Sequence, residues 1–159
     1  EMKYLKLKIE DAVNATKAAI EEGIVAGGGV ALVKAGELIR SKKIPAMNAD
    51  EILGYHIVLN AIESPLKQIA MNAGKGDGSV VLDKVRTSKG DGGYDALNDI
   101  YIEDMVKAGI IDPVKVTRSA LQNASSAAAI LLTTEAAITD EPKPEKPEAQ
   151  MGGGMGMGY

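Results

Sequence analysis

The sequence predicts a mainly α-helical domain, a bundle of long helices with a small β-hairpin and a short C-terminal edge strand. Apolar residues recur at helical spacing over most of the chain, and glycine, proline and asparagine mark the points where this pattern stops. Hydrophobic residues make up 45% of the 159 residues, enough for a sizeable core, but the chain has no Phe and no Trp. Aliphatic and small side chains must therefore fill this core, and they allow helices to pack closely.

The first predicted helix covers residues 2–22, and an apolar stripe along one of its faces is expected to be buried. The stripe consists of Leu5, Ile9, Ala12, Val13, Thr16, Ala19 and Ile20. Asp11 lies about 200° around the helix from Ile9, because each residue turns the helix by about 100°. The Asp11 carboxylate is therefore expected to face solvent, a partner or a cleft. There it either solubilises the surface or orients a water molecule as a general base.

Three successive glycines, Gly27–Gly29, separate this helix from a second one predicted over residues 30–40. Backbone without a Cβ can closely approach a phosphate or a neighbouring backbone, and a helix N-terminus favours anions. A tight turn or hinge between two helices explains the same residues, because no lysine and hydroxyl partner of a phosphate loop follows them. The local sequence leaves both interpretations open.

Capping signals define the next helices. Asn48 and Glu51 have capping-box spacing and open a helix that continues to about residue 63. Ser64-Pro65 then supplies an N-cap and a proline at the first helical position of another helix, which ends before Gly74. A short helix is predicted over residues 79–85.

The last part of the chain is predicted as a hairpin, two helices, a strand and a tail. The glycine-rich segment 89–96 predicts a small hairpin, and residues 99–107 resume a helical pattern. Asp112-Pro113 has the pattern of an N-cap before proline and opens the longest helix, whose Ala- and Ser-rich middle predicts a central place in the bundle. Residues 136–140 predict a short edge strand that invites a strand from another subunit. Residues 141–159, rich in Pro, Glu and Lys and then in Gly and Met, are expected to be disordered.

Composition and charge exclude several classes of function. The net charge of −4, without a visible cluster of Lys and Arg, argues against nucleic acid as a partner. The chain has no Cys and one His, His56, so thiolate chemistry and a metal site built from His or Cys are not expected. No apolar run is long enough to cross a membrane, and no signal pattern opens the chain. We expect a soluble, cytoplasmic protein and, because a helical pattern is already running at the first residues, a fragment of a longer chain.

Four motifs, taken in order, resemble the large subunit of the group I chaperonins, the GroEL type. They are Ile9-Glu10-Asp11-Ala12, the segment from Glu21 to Leu32, Gly93-Tyr94-Asp95-Ala96, and the segment from Gly109 to Leu121. The glycine- and methionine-rich tail is also similar. The resemblance extends over nearly the whole chain, which corresponds to roughly the C-terminal third of the family's subunit.

The resemblance implies three parts in this chain. Residues 1–24 correspond to the end of the intermediate domain, residues 25–140 to the C-terminal half of the ATP-binding equatorial domain, and residues 141–159 to the tail. It also implies an ATPase in the complete subunit, with ATP and Mg²⁺. The metal is held mainly by an N-terminal part that this sequence does not contain, so we expect this piece alone to be inactive.

The resemblance also implies roles for single residues. Asp11 matches the catalytic aspartate that orients the attacking water and the metal, and Gly28 matches the glycine whose backbone lies against the nucleotide. Asp95 and Ala96 match the turn that contacts the base, although Asp95 stands where many members have asparagine. Asp112 matches the aspartate that binds the ribose hydroxyls, a role compatible with capping the helix.

The implied function is that of an ATP-dependent chaperonin. In such a protein a ring of identical subunits encloses unfolded clients beneath a co-chaperonin lid, and ATP hydrolysis drives capture and release. Residues 136–140 would pair with a neighbouring subunit. Two alternatives of other classes are an inactive helical scaffold or assembly fragment with half a nucleotide site, and a holdase that uses exposed apolar surface without ATP.

Overall fold

The computed structural model describes residues 1–42 and 47–140, and these residues contain six α-helices and four short β-strands. The helices are α1 (Met2–Glu22), α2 (Val30–Ser41), α3 (Ala49–Ala61), α4 (Ser64–Asn72), α5 (Ser79–Thr87) and α6 (Val114–Leu132). The strands are β1 (Ile24–Ala26), β2 (Gly93–Asp95), β3 (Ile100–Ile102) and β4 (Ile111–Pro113). The predicted mainly helical class and the small hairpin are confirmed. The prediction for the tail, residues 141–159, lies outside the described residues. None of the described helices has the length and apolarity that a membrane span requires.

A local capping pair explains why α3 begins where the sequence predicts. The Asn48 side chain accepts a hydrogen bond from the Glu51 backbone N–H at 2.9 Å, and the Asn48 N–H donates to Glu51 Oε2 at 2.9 Å. This reciprocal pair satisfies two of the N–H groups that a helix start leaves without partners. The predicted N-cap of α4 is wrong, because Ser64 is the first residue of that helix and its N-cap, Glu63, makes no side-chain cap hydrogen bond. Pro65 lies in the first turn of α4, where its missing N–H has no cost.

Two small antiparallel sheets connect distant parts of the chain. Strand β1 pairs with β4, and Val25 lies opposite Asp112. Strand β2 pairs with β3 as a hairpin, with Tyr94 opposite Tyr101. The β1–β4 pair places the glycine turn beside the start of α6, although these segments are far apart in the sequence.

The core lies between α2, α4, α5 and the hairpin. It consists of Ala26, Val30, Val33, Leu66, Ala70, Val81, Leu82, Val85, Tyr94 and Met105. The hairpin packs on α2 without space between them, since a Cβ added to Gly93 would lie 2.6 Å from Met105 Cγ and 2.7 Å from Val30 Cγ2. Strand β2 is therefore held directly against the first turn of α2.

A cluster of charged side chains around Glu63 fastens α2, α4 and α5 together. Glu63 is 7% exposed, and its Oε1 accepts hydrogen bonds from Arg86 and, at 2.8 Å, from Arg40. Lys67 Nζ lies 3.4 Å from Glu63 Oε2. Burial raises the pKa of Glu63, but the hydrogen bonds and charges of Arg40, Arg86 and Lys67 lower it by more, so the pKa lies below its ordinary value.

The helix predicted over residues 99–107 is wrong. The segment forms β3 followed by turns, because Ile100–Ile102 pairs with β2. Asp99, just before β3, has a φ of 58°, a left-handed conformation that a helix cannot contain. The Asp99 carboxylate holds this turn by accepting hydrogen bonds from the Tyr94 hydroxyl at 2.9 Å and from Lys75 Nζ at 2.5 Å.

Three predictions about α1 and α6 are also wrong. No residue of α1 or α6 is buried, so the apolar stripe of α1 is not buried and α6 does not lie at the centre of the described structure. Pro113 is the N-cap of α6, and no side chain caps this end, because Asp112 belongs to β4. Residues 136–140 form no strand within the described chain, and Ile138 is 99% exposed. A strand requires a partner, so the predicted pairing of these residues with another subunit stays a prediction.

Candidate functional site

The glycine triplet forms the turn between β1 and α2, and its three residues have different surroundings. A Cβ on Gly27 would lie 3.0 Å from the Ile111 N atom, and one on Gly29 would lie 2.8 Å from the Leu66 N atom. Both positions therefore require glycine for close approach to neighbouring backbone. Gly28 has a φ of +65°, but the nearest atom to a Cβ there is a side-chain carbon at 3.4 Å. Gly28 is thus the member of the triplet with space beside it.

Two cavities adjoin at this turn. The first has a volume of about 430 Å³ and lies between the turn, the ends of α3 and α4, and the first half of α6; Asp112 is among its lining residues. The second has a volume of about 510 Å³ and lies between the turn and the hairpin, where Asp95 and Ala96 line it. Gly28 and Ile69 line both cavities. These volumes lie within the range of small-molecule sites, roughly 300–1,000 Å³.

Asp112 is the acidic group of the first cavity. Strand β4 positions it opposite Val25, so its place is fixed by the sheet. Burial raises the pKa of the Asp112 carboxyl, and the backbone N–H of Gly28 partly offsets this effect. The remaining lining is mostly apolar. Such a half-buried carboxylate is suited to accept hydrogen bonds from hydroxyl groups of a ligand, because water competes less there.

Asp95 and Ala96 lie at the turn of the hairpin. Asp95 Oδ1 accepts hydrogen bonds from the backbone N–H groups of Leu97 at 2.9 Å and Asn98 at 3.2 Å, and Oδ2 accepts one from Asn98 Nδ2 at 2.7 Å. The Asn98 side chain, together with these backbone groups, lowers the pKa of Asp95. The Asp95 carboxylate therefore shapes its own turn, as aspartate does in Asx turns.

Asp11 lies apart from these residues. It is exposed on α1, eleven residues before the helix ends at Glu22, which corresponds to about 17 Å along the axis. It does not line either cavity at Gly28. The structure thus brings Gly28, Asp95, Ala96 and Asp112 around two adjoining cavities and leaves Asp11 outside them.

Helix α1 is joined to α6 by two ion pairs. Arg118 contacts Glu22 with both ends of its guanidinium group, through Nε to Oε2 at 2.9 Å and through NH2 to Oε1 at 2.6 Å. Lys115 pairs with Glu21 beside it. These contacts fix the C-terminal end of α1 against the start of α6.

The described residues do not fit a complete magnesium site. They contain no group of three or more Asp, Glu, His or Cys that could hold a metal ion. The three carboxylates that the sequence singles out, Asp11, Asp95 and Asp112, are on separate elements; Asp95 and Asp112 line different cavities, and Asp11 lines neither.

Ile69 is a site residue that the sequence reasoning missed. It lies on α4 and borders both cavities. In the sequence it is one of several apolar residues at helical spacing, so no local signal distinguishes it from a core residue.

The fold and the site define a mainly helical domain with a glycine turn and a half-buried aspartate at cavities of ligand size. The family model of the TCP-1/cpn60 chaperonin family matches residues 1–142. Because the match covers most of the chain, the chain belongs to the TCP-1/cpn60 chaperonin family. The predicted resemblance to chaperonins is confirmed at the level of this family. Membership implies, in general terms, assembly into rings and action on client proteins.

Proposed function

We propose that this chain is the C-terminal part of a group I chaperonin subunit of the GroEL type and works in ATP-driven protein folding. In this proposal residues 1–24 end the intermediate domain, residues 25–140 form half of the ATP-binding equatorial domain, and residues 141–159 are the tail. The observation that carries the proposal is the convergence of four predicted nucleotide-contacting residues on adjoining cavities in a chain of this family.

The proposed nucleotide lies across Gly28. The ribose hydroxyls donate hydrogen bonds to Asp112, whose half-buried carboxylate is shielded from water. The base lies toward the hairpin turn, against Ala96 and the backbone of Asp95, since the Asp95 side chain is already bonded within the turn. Gly28 supports this arrangement because space remains beside its backbone.

Asp11 is proposed to orient the water that attacks the terminal phosphate. This role requires α1 to move, since Asp11 is now outside the cavities. Gly23 ends α1 with a φ of 86°, and no atom lies within 4 Å of a Cβ built on it. The movement must break the two exposed ion pairs that join the end of α1 to α6, and exposed pairs contribute little free energy. Bound Mg²⁺ would neutralise phosphate charge, held mainly by residues outside this chain.

The proposed partners are identical subunits in a ring, a co-chaperonin lid and unfolded client proteins in the cytoplasm. Residues 136–140 are exposed after α6 and have no regular secondary structure, so their backbone can pair with a strand of a neighbouring subunit.

The test measures ATP binding and hydrolysis by the 159-residue chain, alone and mixed with a matching N-terminal equatorial piece. We expect hydrolysis only on mixing, and we expect Asp11→Ala to slow it by about 10²-fold while nucleotide binding persists. Glu10→Ala is the matched control, because Glu10 is the neighbouring exposed carboxylate on α1. Equal turnover in Asp11→Ala and Glu10→Ala would refute the role of Asp11.

Two other results would replace the proposal. Association of the pieces without nucleotide binding would indicate a scaffold. Suppression of client aggregation that is indifferent to ATP would indicate a holdase.

A further inference from the structure

Lys34 reaches from α2 to the end of α5. Its Nζ donates hydrogen bonds to the Val85 carbonyl at 2.7 Å, to the Ser88 carbonyl at 2.5 Å and to Ser88 Oγ at 2.8 Å. These three contacts match the three donors of an ammonium group. Burial lowers the pKa of Lys34, whereas the charges of Asp91 and Glu37 raise it. Lys34 is therefore fully bonded by oxygen atoms on the segment that leads into the hairpin.

Ser88 contacts both Lys34 and the backbone at the start of the hairpin. Its Oγ lies 2.7 Å from the Val85 carbonyl oxygen and 2.9 Å from the Gly92 carbonyl oxygen, so the hydroxyl can donate to either. A Cβ added to Gly92 would lie 2.8 Å from Ser88 Oγ. Ser88 thus packs directly on the backbone that enters β2, and Lys34 holds Ser88 in place.

Backbone hydrogen bonds connect the same segment to the glycine turn. The Met105 N–H donates to the Asp91 carbonyl at 3.0 Å, and the Ile110 N–H donates to the Met105 carbonyl at 2.9 Å. The Gly27 N–H donates to the Ile110 carbonyl at 2.9 Å. A continuous set of contacts therefore runs from Lys34 through the base of the hairpin to the turn that contains Gly28.

We propose that Lys34 is a positioning residue for the candidate nucleotide site. It does not line either cavity at Gly28. It fixes the hairpin, and with it Asp95 and Ala96, at a set distance from Gly28. The nature of the ligand in this inference rests on the proposed function.

The test compares Lys34→Met, Lys34→Arg and the control Lys89→Met, which removes an exposed lysine next to Ser88. Amide hydrogen exchange is measured on the full chain without nucleotide, and ADP is then titrated into each variant mixed with the matching N-terminal equatorial piece. We expect Lys34→Met to raise exchange in β2 and β3 by about tenfold relative to α4, because local opening requires less free energy once the contact is lost. We expect its Kd for ADP to rise about tenfold. Arg retains donors at this position, so Lys34→Arg should preserve most of both properties, and Lys89→Met should change neither.

A lower global stability of Lys34→Met, with the exchange ratio of hairpin to α4 and the Kd for ADP unchanged, would overturn the inference and leave Lys34 as a helix cap. If the unaltered chain mixed with that piece does not bind ADP, the nucleotide assignment fails. In that case the exchange ratio alone decides whether Lys34 positions the hairpin.

Discussion

Gly29, in the turn before α2, has two physical reasons to be glycine: its positive φ and its close approach to the backbone of Leu66. Substitution by alanine, compared with matched controls, separates them. Gly29 has a φ of +79°, and an added Cβ would lie 2.8 Å from the N atom and 3.1 Å from the Cα of Leu66. Alanine in this left-handed conformation costs about 1–2 kcal/mol. Overpacking against backbone that cannot yield adds about 1–3 kcal/mol. We therefore expect Gly29→Ala to lower the free energy of unfolding by about 2–5 kcal/mol.

Gly109 provides the matched control. Its φ of +78° is nearly the same, but nothing lies within 4 Å of an added Cβ, so Gly109→Ala should cost only about 1–2 kcal/mol. Gly28→Ala, with a nearest contact of 3.4 Å, should resemble Gly109→Ala. The assay is urea unfolding followed by circular dichroism, with equal m values required. Equal losses for Gly29→Ala and Gly109→Ala would refute the close contact with Leu66. A loss for Gly28→Ala as large as that for Gly29→Ala would refute the open space beside Gly28.

Two further predictions concern buried carboxylates and pH. The pKa of Asp112 is raised by burial, so its contribution to stability is present below the unfolded pKa and is lost as the pH rises through the folded pKa. Asp112→Asn should therefore gain stability relative to the unaltered chain between about pH 3 and pH 7, and a urea midpoint difference that is constant over this range would contradict the raised pKa. The pKa of Glu63 is lowered by its basic partners, so its contribution is present above the unfolded pKa and is lost as the pH falls through the folded pKa. Glu63→Gln should cost about 3 kcal/mol at pH 7 and less in acid, whereas the exposed control Glu103→Gln should change little.

Helices with local signals could be predicted from the sequence, and strands formed by distant pairing could not. The capping pair of Asn48 and Glu51 lies within one helical turn, so the start of α3 is predictable. Strand β1 has only three residues, and its partner is β4, near the other end of the described chain. The same pairing explains why Asp112 does not cap α6, since tertiary contacts override a local preference. The left-handed φ of Asp99 prevents the helix predicted over residues 99–107 from beginning there; aspartate tolerates this conformation, but its presence in the sequence does not predict it.

The candidate site could be predicted only through the resemblance to a family. The local sequence alone suggests that Gly28 belongs to a turn and that Asp112 caps a helix, and neither residue type identifies a ligand. Their proximity arises from the β1–β4 pair, which no periodicity in the sequence reveals. The engagement of the Asp95 carboxylate within its own turn depends on the side chain of Asn98, a contact that the sequence also did not show. The role of Asp11 stays a prediction, because it depends on a movement of α1.

The pairing of β1 with β4 also determines when the cavity beside Asp112 can form during synthesis of the chain. Residues 24–26 are made before their partners, residues 111–113, so the loop between them must be complete before the cavity beside Asp112 can exist. Closing so long a loop has an entropic cost. The contacts of the β1–β4 pair can offset this cost only after β4 has been made. A nascent chain that has reached only the hairpin contains the glycine turn and most of the lining residues, but not the carboxylate. The cavity beside Asp112 is therefore completed in one late step, when β4 pairs with β1.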